Sequence, residues 1–161
     1  MTGIPRARQG SHRLSQAQQN RLRVLALRCR LLQYDYTKAT KPGRARKVLG
    51  GPAGGRQPSD RLADLVVWAL YRDLFLASVH VLIENWDRSL AYDNVIYGLL
   101  SRTGHRSALK EYRNAVFHSD PMTEGKRLKA GGRLAGIMKW AEALVDAIES
   151  HLDAHYPLPA A

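Results

Sequence analysis

The chain has 161 residues, 45% of them hydrophobic, and a formal net charge of +11. That apolar share is ordinary for a folded protein and argues against global disorder, and the length suits one domain with a real core. The single cysteine, Cys29, excludes an internal disulfide framework and a cysteine-based zinc site, and fits a reducing, cytoplasmic setting.

The first ten residues lack the apolar stretch of a secretory signal. The charge is segregated. Residues 1–58 hold 13 Lys/Arg against one acid, Asp35, for +12, whereas residues 59–161 hold 12 against 13, for −1. An excess confined to the first third implies a polyanionic partner, and nucleic acid is the commonest one. The chain therefore divides into a basic N-terminal helix and flexible loop (1–58) and a helical core (59–161), within a single domain overall.

From about Ser15 to Tyr36, the residues Leu22, Leu25, Cys29, Leu32 and Tyr36 recur at three- and four-residue steps, which predicts a helix with a core-facing stripe. Arg21 and Arg28 on one side, and Arg23 and Arg30 on the other, flank that stripe in two rows. With Lys41, Arg44, Arg46 and Lys47 they are the candidate nucleic-acid contacts. Residues 37–58 are rich in Gly, Pro and Lys/Arg without an acid, and read as a loop. The Gly/Pro run at 50–55 lacks the GxxxxGK[ST] pattern of a phosphate-binding loop.

Ser59 or Asp60 is the expected cap of a helix running to between Asn85 and Arg88. Leu65, Val66, Trp68, Leu70, Phe75, Val79, Leu82, Ile83 and Trp86 make it apolar nearly all round, which suits the centre of a bundle or a subunit interface. Asp64, Arg72, Asp73 and His80 make it a poor membrane span, so no membrane partner is expected. A shorter helix from Tyr92 to Arg102 is expected to end at Gly104 in a left-handed turn. The next, Ser107 to His118, presents Leu109, Tyr112 and Val116 to the core and stops before Asp120-Pro121. After a polar connection (Thr123 to Gly132), a last amphipathic helix runs from about Arg133 to His155. No segment reads as a strand.

Few residues suggest chemistry on their own. His80 and Glu84, four apart, read as a buried polar pair; with no HExxH pattern and no third ligand in view, no metal or cofactor is expected. Arg72, Asp73 and Asp87 are candidate cleft residues on the same helix. Trp68, Trp86 and Trp140 read as packing residues, and His151 and His155 as cations suited to a helix C-terminus. No GxSxG nucleophile elbow occurs.

The run from Arg113 to His118 is different. Arginine clamps a phosphate with paired hydrogen bonds, and histidine exchanges a proton near neutral pH. Together they suffice to cut RNA without a metal. Arg113 and His118 lie five apart, offset by about 140° around a straight helix and about 7.5 Å along it. Asn114 and His118, four apart, share a face. Action on one phosphate therefore calls for a loosened helix end or a second copy of the chain. Arg6 and His12 have similar spacing without helical context, so the surrounding sequence must carry the distinction.

That surrounding sequence, Glu111-Tyr112-Arg113-Asn114-Ala115-Val116-Phe117-His118-Ser119-Asp120-Pro121, resembles the RNxxxH form of the Arg-x(4–6)-His motif of HEPN domains. The likeness covers residues 60–155, with a long apolar helix before the motif and an amphipathic one after. It implies an all-α, HEPN-like bundle of about five helices that forms a homodimer and cuts RNA without a metal, as a toxin, a phage-defence effector or an RNA-processing enzyme. It implies that Arg113, Asn114 and His118 are catalytic, that the product is a 2′,3′-cyclic phosphate, and that an antitoxin or a nucleotidyltransferase is a candidate partner. Other HEPN proteins are inactive. The alternatives are accordingly a non-catalytic RNA- or DNA-binding module and a protein-interaction module.

Overall fold

In a computed structural model, the structure describes residues 13–39, 58–117 and 134–158. Among them are five helices and no strand: α1 (Gln16–Ala39), α2 (Pro58–Ser89), α3 (Asn94–Leu100), α4 (Thr103–Phe117) and α5 (Leu134–His155). The expected all-α bundle is present.

α2 is its axis. Phe75, Leu76, Val79, Leu82, Ile83 and Trp86 run through one core with Leu22 and Cys29 of α1, Ile96 of α3, Leu109 of α4, and Leu144, Val145 and Ile148 of α5. Burying side chains of this size, at about 1.5–3 kcal/mol each, is what holds such a bundle together. The charge boundary at residue 58 is not a packing boundary, because α1 supplies fully buried side chains to this core. α2 is long and apolar enough to cross a membrane by length and composition alone, yet half of that stretch is buried inside the bundle.

Several helix ends depart from expectation, each for a local reason. α1 continues through Thr37, Lys38 and Ala39, which were expected in the loop. Ala39 is buried with Val67, Tyr36 lies 5.7 Å from the Trp68 ring, and Thr37 donates from Oγ1 to the Gln33 carbonyl at 2.8 Å. α2 begins at Pro58, a residue preorganised for a first helical turn, so Ser59 and Asp60 lie inside that turn instead of capping it. Leu90, just past α2, takes a left-handed conformation (φ 57°). α3 is capped by Asp93, whose Oδ1 accepts from the Val95 and Ile96 amides at 2.9 and 3.0 Å, leaving Tyr92 outside the helix. Gly104 does not terminate α3: Ser101 closes it in an ordinary right-handed conformation, and Gly104 falls in the first turn of α4. The Asp120-Pro121 stop and the connection at 123–132 lie outside the described residues.

Candidate functional site

α4 lies along the C-terminal half of α2. Arg106, Lys110 and Arg113 fall at steps of four and three, so they occupy one face of α4. Arg106 pairs with Asp87 of α2. Between the helices, His80, Ile83, Glu84, Arg106, Ser107 and Lys110 line a partly open cavity of about 320 Å³. The sequence reading missed this groove, although the spacing of its three cations was legible; which helix faces them was not.

His80 is the unusual group. It is buried, and its Nδ1 has no hydrogen-bond partner among the described residues. Glu84 Oε1 stands 3.8 Å away, too far for a hydrogen bond, so the expected polar pair is an ion-pair neighbour only. Burial pushes the imidazole pKa below its ordinary value; Glu84 opposes this, while Arg113, Arg106 and Lys110 reinforce it. Arg106, Lys110 and Arg113 surround the ring with a field that favours anions.

Arg113 is half-buried and donates from Nη1 to Asn114 Oδ1 at 3.1 Å. His118 itself lies outside the described residues. So do Lys41, Arg44, Arg46 and Lys47.

The four arginines of α1 separate into two kinds. Arg21 and Arg28 are exposed. Arg23 is tied to α5: Nη1 donates to Asp153 at 2.8 Å, and Nη2 donates to the Leu152 carbonyl at 3.1 Å and to the Tyr156 carbonyl. Cationic groups belong at such a helix C-terminus. Arg30 donates from Nε to Glu149 at 2.7 Å, from Nη1 to Gln33 at 3.0 Å, and from Nη2 to Asp146. Arg23 and Arg30 thus lock α1 to α5, which leaves Arg21 and Arg28 as the exposed pair. Of the other cleft candidates on α2, Asp87 pairs with the groove residue Arg106, whereas Arg72 bonds its neighbour Asp73 at 2.9 Å and lies over the Trp68 ring.

His151 and His155 do more than close a helix end. His151 Nδ1 lies 3.1 Å from Oδ2 of Asp93, 58 residues earlier in the chain. Burial alone would raise the Asp93 carboxyl; hydrogen bonds from the Ile96 amide, His151 and the Val95 amide outweigh it and hold the group below the usual carboxylate value. The tryptophans pack as expected: Trp86 and Trp140 are buried, and Trp140 Nε1 donates to the Leu99 carbonyl at 2.9 Å.

No family model, curated protein or solved structure matches this chain. Fold and site together define an all-helical bundle with a cationic groove between α2 and α4.

Proposed function

We propose that the chain is a metal-independent RNA endonuclease of HEPN type that works as a homodimer in the cytoplasm, as a toxin or phage-defence effector. The observation that carries this reading is Arg113. It is half-buried, bonded to Asn114, and continues the face of Arg106 and Lys110 near the end of α4. Arg113 holds the scissile phosphate and offsets the charge that develops on its oxygens. His118 takes the proton from the ribose 2′-OH as that oxygen attacks phosphorus. The bond to the 5′-oxygen breaks, the leaving oxygen takes a proton from the second copy's histidine, and a 2′,3′-cyclic phosphate remains. Asn114 orients the imidazole, and Arg21 and Arg28 meet the RNA backbone.

Two exposed apolar stripes support the dimer: Val24, Leu27, Leu31 and Tyr34 on α1, and Leu62, Leu65, Val66 and Leu70 on α2. Side chains this large and this exposed, grouped on helix faces, suit a second copy of the chain. An antitoxin or nucleotidyltransferase partner would act by covering the groove. The test is cleavage of single-stranded RNA in EDTA. His118→Ala is expected to abolish it with the circular dichroism spectrum unchanged, and undiminished cutting by that variant would remove the assignment. The second reading, a non-catalytic RNA- or DNA-binding module, is favoured by the exposure of Arg21 and Arg28 alone. It predicts RNA binding that survives Arg113→Ala.

A further inference from the structure

Independently of any ribonuclease chemistry, we propose that Asp93, His151 and His155 form a binding site for one transition-metal dication of the zinc class, joining the cap of α3 to the end of α5. One ligand atom from each of the three residues lies within 4.8 Å of the other two. His151 and His155 are four apart on α5, so their side chains share a face, and their ring centroids are 4.5 Å apart. Asp93 spends one oxygen on the α3 cap and directs the other at His151.

Coordination geometry supports the assignment. Metal–ligand bonds of about 2.0–2.2 Å in a tetrahedral site place neighbouring ligand atoms roughly 3.3–3.6 Å apart. The Asp93–His151 separation of 3.1 Å is already near that edge. Only His155, exposed on the last turn of α5, has to swing inward. The His151 side chain is 8% exposed and stands edge-on to Trp86 at 5.1 Å, so its ring is held in place before any ion arrives. The site thus has one fixed ligand, one capped ligand and one adjustable ligand, with a fourth position left for water. Two imidazoles and a carboxylate select zinc-like dications over magnesium or calcium, which prefer oxygen-rich shells. A part-buried Asp–His hydrogen bond would account for Asp93 and His151, and the helix C-terminus for His155, but neither requires three ligand atoms to converge.

His155 is therefore the position to test, in the full chain and with the metal alone as probe. Titration calorimetry with ZnCl2 is expected to show one saturable site, and saturating zinc to raise the melting temperature by about 5 °C or more. MgCl2 is expected to do neither. His155→Ala, at an exposed position, is expected to leave the zinc-free melting temperature unchanged and to weaken zinc binding by at least about tenfold. Asp93→Asn keeps a capping oxygen on α3 and is expected to weaken binding similarly. Substituted Co2+ would show the visible absorption of a tetrahedral site in the wild type and lose it in both variants. Absence of saturable zinc binding overturns the proposal. So does zinc binding by His155→Ala as tight as that of the wild type, which would place the ion on other histidines.

Discussion

Replacing Arg30 and Arg28 by alanine, one at a time, separates an arginine that holds the bundle from one proposed to meet RNA. Arg30 is 35% exposed; its partner Glu149 is 30% exposed and Asp146 is 58% exposed. Water screens the Asp146 contact heavily, so that arm contributes at most a few tenths of a kcal/mol. The better-covered Glu149 contact, made through Nε, contributes about 1 kcal/mol. Arg30→Ala should therefore cost about 1–1.5 kcal/mol and lower the melting temperature by about 2–6 °C in a chain of this length. Its effect on RNA affinity should be small, because its guanidinium is already spoken for. Arg28→Ala should do the reverse. An exposed side chain without a structural role leaves the melting temperature within about 2 °C, while one lost phosphate contact lowers the slope of log affinity against log salt by about 0.7 for a single strand. Thermal melts and fluorescence anisotropy with a short RNA across a salt series measure both. If Arg30→Ala lowers the salt slope as Arg28→Ala does and leaves the melt unchanged, the α1–α5 ion pairs do not hold in solution and the division of the arginines fails.

Leu90 is 68% exposed with φ 57°, a conformation costing a branched residue about 1 kcal/mol. Leu90→Gly should therefore raise the melting temperature by about 1–3 °C after the loss of unfolded-state restriction is deducted; a fall would show that Leu90 makes a stabilising contact. Burial depresses the His80 pKa, so the unfolded chain binds that proton more readily than the folded one. Its contribution to stability should be complete above the ordinary histidine value of 6.5 and should erode as pH falls from there toward the folded value. Urea midpoints at mildly acidic and neutral pH should converge in His80→Gln; an unchanged pH slope would refute the assignment. Burial also pushes the Cys29 thiol up to about 12, with Glu149 adding to the shift and Arg28 and Arg30 opposing it. Cys29 should resist a thiol reagent at pH 8 until urea unfolds the chain, and rapid labelling of the native protein would contradict its burial. The same shift means stability from this group should be lost as pH rises from 9.0 toward 12.

Much of the bundle was legible before folding because a helix repeats every 3.6 residues, and apolar residues at that period declare both the helix and its inner face. The stripe of Leu22, Leu25, Cys29, Leu32 and Tyr36 faces the core, wholly or in part, as its spacing requires. Helix ends were less legible, since they depend on partners elsewhere. Thr37 to Ala39 stay helical because Val67 and Trp68 cover that end. Charge was legible as a quantity and not as an availability: the four arginines of α1 look equivalent in sequence, yet α5 claims two of them.

By itself the sequence determined the all-helical class, the central place of α2, and the placing of Arg113 and Asn114 near the end of α4, since local periodicity and composition carry that information. Tertiary structure alone decided which helices face one another. That pairing set Arg106, Lys110 and Arg113 beside His80, and brought Asp93 to His151 across 58 residues. The reason is physical. Burial and hydrogen bonding between distant segments are properties of packing, and packing has no period along the chain from which it can be read.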